Sequence, residues 1–237
     1  MADYYSASNL GVDVGGTVCG AQSFSVSVGG PVTPIFQLGS VTNCGVMQAP
    51  SRGTATLTVQ GDIAVVTGTW ADIIQTEIGD IGCPLFGITG AICTGVTFTG
   101  RAGSPPSATY TFTGKEYTTG GGGAPGACGC SVATESILGP TAAYSISASC
   151  SVSFLEQFGS ADLLGIVCEQ PRVTGTFEFY LGTGAATSVT IGDMSVTLDE
   201  ELESSQGGNG SVGGFGTYSV TYFGGSEGSV TGGLTIA

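Results

Sequence analysis

The sequence predicts an all-β protein built from two tandem, similar sandwich or barrel domains with little helix. Three observations predict it. Apolar residues alternate with Ser and Thr along most of the chain, the period of half-buried strands. Forty-three glycines and nine prolines punctuate these runs and supply turns. Residues 23–60 also align without a gap on residues 143–180, an offset of 120, with 10 identities in 38 pairs. Arg52 matches Arg172 in a chain of only three arginines, so compositional bias does not account for that match.

The first strand is read at 23–28, where Phe24, Val26 and Val28 alternate with serines. Its partner in the repeat is Tyr144, Ile146 and Ala148. Leu57 and Val59 mark a second strand, repeated by Phe177 and Phe179. Similar alternation predicts strands at 63–70, 95–99, 108–113, 187–191, 194–198, 217–223 and 229–236. Ile191-Gly-Asp-Met194 reads as a tight hairpin turn. Trp70–Ile78 is the one short helix predicted, with Ile74 and Ile78 on one face. The first copy spends 35 residues between Gly61 and the strand at Val96, and the second about 15 between Leu181 and Val196. Residues 71–93 therefore read as an insertion in copy one or a deletion from copy two, and 199–216 as an acidic, Gly-rich loop of copy two. The domains are placed at 1–120 and 131–237, with 121–130 as a Gly-rich linker.

Composition excludes several functions. Eighteen acids, four bases and no His give a net charge of −14. The chain has no basic footprint for nucleic acid and is expected to repel phosphate backbones and anionic membranes. Residues 1–120 carry seven acids and three bases, and residues 121–237 eleven and one. Without His, Ser–His–Asp and Cys–His sites are impossible within the chain, so no catalytic residue, cofactor or metal is expected. The acidic cluster at Asp199, Glu200, Glu201 and Glu203 reads as a solvated loop. Cys128-Gly-Cys130 lacks the second thiol pair of a zinc site, and no Lys-Ser/Thr follows Gly120–Gly123 to make a phosphate loop. The first residues lack the basic and apolar regions of a signal peptide, and no apolar run is long enough for a membrane helix. Synthesis in the cytoplasm is therefore expected, with most of the eight cysteines as buried thiols. Should a bridge form, Cys83–Cys93 across a short loop is the first candidate. Arg52 and Arg172 are the candidate interface residues, each read two ways: an internal ion pair, or an ion pair across a subunit interface.

The strings Ser-Phe-Ser-Val-Ser-Val at 23–28, Pro-Ile-Phe-Gln-Leu-Gly-Ser at 34–40 and Arg-Gly-Thr-Ala-Thr-Leu-Thr-Val at 52–59 resemble bacteriophage tail tube and related virion structural proteins. The resemblance covers 38 residues in each copy. It implies a major tail tube subunit in stacked rings, three chains each presenting two similar domains around an acidic channel. Its partners would be itself and other tail proteins, in the virion, with DNA passing through unbound and no membrane involved. Eight cysteines and 43 glycines depart from that picture. The alternatives are a capsid decoration or other virion protein, and a non-viral surface filament or adhesive β-protein.

Overall fold

The computed structural model describes residues 11–19, 21–30, 32–36, 43–48, 52–60, 65–118, 135–137, 141–157, 163–180, 187–191, 194–199, 201–210, 216–225 and 231–237. The first half holds β1 (Val12–Val14), β2 (Thr17–Cys19), β3 (Ala21–Gly29), β4 (Val32–Phe36), β5 (Asn43–Gln48), β6 (Arg52–Gln60) and β7 (Gly68–Thr69). The helix α1 (Trp70–Ile73) follows, then β8 (Glu77–Gly82), β9 (Gly87–Arg101), β10 (Ser104–Gly114) and β11 (Glu116–Thr118). The second half holds β12 (Glu135–Ile137), β13 (Thr141–Glu156), β14 (Leu163–Tyr180), β15 (Ser188–Ile191), β16 (Met194–Leu198), β17 (Leu202–Asn209), β18 (Thr217–Gly224) and β19 (Leu234–Ile236). All pairings are antiparallel, and α1 is the one helix among the described residues, so the chain is all-β.

One large sheet carries the architecture. Its main path runs β17-β18-β14-β13-β9-β10-β6-β3, with β1, β2, β8 and β11 attached at one end of β9. A second sheet, β12-β15-β16-β19-β7, lies on the apolar face. Period-two alternation sends Phe98, Tyr110, Phe112, Ile146, Phe177 and Phe179 to that face, all fully buried. Val189, Val196, Leu198, Leu234 and Ile236 meet them in the same cluster from the second sheet. The result is a sandwich. Over the first half, the face is covered instead by Trp70, Ile73 and Ile74 around α1 and by Ile81 on β8.

Several local expectations change. Among the described residues of the strand predicted at 63–70, only Gly68–Thr69 is strand, and α1 starts at Trp70. Thr69 caps that helix, its hydroxyl accepting from the Asp72 amide at 3.2 Å and donating to the Asp72 carboxylate at 2.6 Å. The helix stops at Ile73 rather than Ile78, and Ile78 joins β8. The strand predicted at 229–236 is found at Leu234–Ile236. The acidic loop predicted at 199–216 instead contains β17, hydrogen-bonded along β18. Ile191 pairs with Met194, as the predicted hairpin requires.

Sequence reading separates two domains, but strands of both halves share one sheet, joined where β13 pairs with β9. The linker read at 121–130 lies outside the described residues.

The register of this sheet repeats. In the first half Phe24 faces Leu57, Ser25 faces Thr56 and Val26 faces Ala55. In the second half Tyr144 faces Phe177, Ser145 faces Thr176 and Ile146 faces Gly175, each 120 residues further on. All pairs of β3 with β6 and of β4 with β5 recur this way between β13 and β14, bulges included. The next strand repeats too, at an offset of 110. Tyr110 faces Leu57 on β6, and Val220 faces Phe177 on β14. The fourth strand keeps that second offset. Thr111 faces Gly95 and Phe112 faces Cys93, with Thr94 bulged between them; Thr221 faces Ser205 and Tyr222 faces Glu203, with Ser204 bulged between them. Even the bulge hydrogen bond recurs. The Thr94 hydroxyl donates to the Thr111 carbonyl at 3.3 Å, and the Ser204 hydroxyl to the Thr221 carbonyl at 3.0 Å. The main path is thus two four-stranded units in the same order, β9-β10-β6-β3 and β17-β18-β14-β13. In this register Val96 corresponds to Gln206 on β17, not to Val196 on β16 as the sequence alignment places it.

Candidate assembly surface

Seven residue pairs join the two units, from Ala143 facing Arg101 to Ser149 facing Gly95. The junction is made by period-two strands whose two faces differ. On the apolar face, Tyr144, Ile146 and Ala148 are buried against Val96 and Phe98. On the other face the Thr97 and Ser147 hydroxyls meet at 3.2 Å.

That hydroxyl contact belongs to a longer pattern. One rung runs Ser23, Thr58, Thr109, Thr97, Ser147, Thr174 across six consecutive strands. Another runs Ser107, Thr99, Ser145, Thr176, Thr221, Ser205 across six. Hydroxyl pairs close within these rungs between Thr58 and Thr109, Thr99 and Ser107, and Thr176 and Thr221. One face of the sheet is therefore lined largely by hydroxyls, with Arg101 and Glu178 on the same side. A shallow cleft of about 370 Å³ opens on it among Ser145, Thr176, Glu178, Gly207, Thr217 and Ser219. With one carboxylate and no base or nucleophilic partner, its lining is suited to weak polar contact.

The repeated arginines have different surroundings. Arg52 makes a 2.5 Å ion pair with Glu156, at the far end of β13, and its guanidinium lies 4.3 Å from the Phe154 ring centre. It thus holds the end of the second unit's long hairpin against the first unit. Arg172 is exposed and has no ion pair among the described residues. Lys115 pairs with Glu77 at 2.9 Å. Of the acidic cluster, Asp199 is a strut: its carboxylate accepts from the Thr235 hydroxyl, and its carbonyl from the Gly225 amide at 2.9 Å.

Cys83 and Cys93 are both buried free thiols, so the candidate bridge is not formed. Burial pushes the Cys93 thiol up to about 12, and the thiol donates to the Gly95 carbonyl at 3.5 Å. Cys150 and Cys168 are also free and lie side by side across β13 and β14, and the Cys150 thiol donates to the Thr94 carbonyl at 3.7 Å. Interaction between the two thiols raises Cys150 and lowers Cys168. Cys128, Cys130 and the Gly120–Gly123 run lie outside the described residues.

Two strand edges end the main path. β3 spans nine residues without a charge or a proline, and β17 is exposed from Leu202 to Gly208. Unpaired backbone on such edges is a template for another strand. Sequence reasoning missed β17 because its residues carry no apolar alternation. No protein-family model matches the chain, and the comparison with curated proteins found no match.

Proposed function

We propose that the chain is a structural virion subunit, the major subunit of a bacteriophage tail tube. Three chains form a ring of six similar four-stranded units, and rings stack into a tube around a channel that conducts DNA without binding it. The observation that carries this reading is the head-to-tail repetition of two units in one sheet, with an open edge at each end. An interface of that kind is heterologous, and it generates closed rings when the rotation closes. The repeated register supports duplication of one unit as its origin, which lets three chains fill six positions. The net charge of −14 per chain supports passage of a polyanion. Architecture, not catalysis, is the activity in this reading.

Negative-stain microscopy of the purified protein tests it. Rings or hollow tubes of constant bore are expected. Compact trimers that bind empty capsids would make the chain a decoration protein, and solid fibres would make it a surface filament; either result overturns the tail tube reading.

A further inference from the structure

The junction between the two units specifies a contact that the chain leaves unmade at both ends. β13 corresponds to β3 and β9 to β17, by the same pairwise register throughout. β13 and β9 are paired inside the chain, whereas β3 and β17 are the two outer edges of the path. The side chains of β3 register the missing neighbour. Ala148 on β13 is 2% exposed, and its counterpart Val28 on β3 is 37% exposed. Tyr144 and Ile146 are buried, and their counterparts Phe24 and Val26 are only half-buried.

We propose that the β3 edge of one chain pairs antiparallel with the β17 edge of a second copy, in the register of the β13–β9 junction. The inference rests on the self-assembling reading above and names the surface it uses. Translating the internal pairs by their offsets sets Ser25 opposite Asn209, Val26 opposite Gly208, Ser27 opposite Gly207 and Val28 opposite Gln206. The faces match. Ser27 takes the place of Ser147 on the hydroxyl side, and Gly207 lines the hydroxyl-face cleft. Phe24, Val26 and Val28 take the apolar side, where Gly208 leaves room above β17. The edges fit in chemistry as well, since β3 has no charge to repel Glu203 near the start of β17.

The same operation assigns a role to Arg172. Inside the chain, the far end of the second unit's hairpin reaches Arg52. Between chains, the matching segment, β4–β5 of the first unit, reaches Arg172 of the next copy.

Cysteine cross-linking reads the register. Hydroxyls of Thr97 and Ser147 touch at the internal junction, so thiols at the equivalent pair fall within reach of a disulfide. The full-length double variant Ser27→Cys with Gly207→Cys is oxidised mildly and run on a non-reducing gel. The new Cβ at position 207 meets its nearest neighbour, the Ser219 hydroxyl, at 3.7 Å, an ordinary contact. A ladder of covalent dimers and higher multimers is expected, several-fold stronger than in wild type or either single variant, which carry the native cysteines. Thr97→Cys with Ser147→Cys, which should close within one chain, is the positive control. Should the first double variant fail to fold, Ser25→Cys with Asn209→Cys reads the same register. A ladder no stronger than wild type overturns the proposal, as does an equal ladder from the displaced pair Ser23→Cys with Gly207→Cys. Rings without the ladder overturn the edge pairing and leave the ring reading standing. A ladder within solid fibres keeps the edge pairing and overturns the tube.

Discussion

Gly175 is where the second unit departs most informatively from the first. Its counterpart in the repeat is Ala55, fully buried with an ordinary methyl group. A Cβ on Gly175 would collide with the Leu198 Cδ1 of the second sheet and approach the Phe177 ring to 3.0 Å. Leu198 is 2% exposed and Phe177 is fully buried, so neither has free space to enter. Gly175→Ala therefore overpacks the sheet-to-sheet contact and should cost about 1–3 kcal/mol. Leu198→Ala opens a cavity in the same place and should cost about 2–5 kcal/mol. The double variant relieves the collision, because the new methyl occupies part of the space the leucine vacates. Its loss should fall short of the sum of the single losses by roughly 1–2 kcal/mol, a coupling of the size seen for residues in contact. Urea denaturation of the four proteins at one low concentration measures it from the midpoints, provided the slopes agree. Strict additivity would refute the packing of β16 across β14 and, with it, the physical reason the repeat carries alanine on one side and glycine on the other.

Two further predictions concern charge. Arg52→Ala should lower monomer stability by about 1 kcal/mol or less, because its side chain and that of Glu156 are 38% and 40% exposed and the pair is screened. Arg172→Ala should change monomer stability by less than about 0.5 kcal/mol yet reduce assembly in sedimentation; equal loss of folded monomer in the two variants would contradict the separate roles. Cys93 predicts an alkaline limit. Its folded thiol is held up to about 12 against an ordinary value of 9.0, so between these values the native state binds more protons than the unfolded chain. The contribution is intact below pH about 9 and is lost as pH rises toward 12, about 4 kcal/mol at most. Cys93→Ala should flatten that part of the stability profile by denaturant titration at successive pH values. An unchanged slope would mean that the thiol ionises without unfolding.

What was legible in the sequence follows from what each strand had to satisfy. Strands that bury one face must alternate, so Phe24 to Val28, Tyr144 to Ala148 and Phe177 to Phe179 announced themselves, and so did their repeat. β17 buries neither face. Its stability comes from backbone pairing with β18, which places no demand on side chains, and Leu-Glu-Ser-Ser-Gln-Gly-Gly-Asn therefore reads as loop. The alignment then attached Val96 to the nearest alternating run, at Val196. That run alternates because β16 belongs to the second sheet and contributes Val196 and Leu198 to the core from the opposite side. The short helix was partly legible for the converse reason: Ile74 and Ile78 fit a helical spacing, but Ile78 is placed by β8 pairing with β9.

The arginines were legible as a repeat but not as a difference. At the sequence level Arg52 and Arg172 occupy equal places, which is why an internal pair and a subunit contact both fit. The sheet order separates them. A unit's arginine meets the hairpin end of the unit that adds to its β9-type edge, and only the first unit has such a neighbour within the chain. Glu156 and Phe154, which receive Arg52, correspond by register to Phe36 and Pro34 in the first unit. An internal contact can rely on an ion pair because its partner is always at hand. A contact made between copies, offering an aromatic ring and a proline but no carboxylate, would depend less on salt. Assembly that persists at ionic strengths sufficient to weaken the Arg52–Glu156 pair would follow from that substitution. Assembly abolished by the same salt would place the dominant contact elsewhere on the edge.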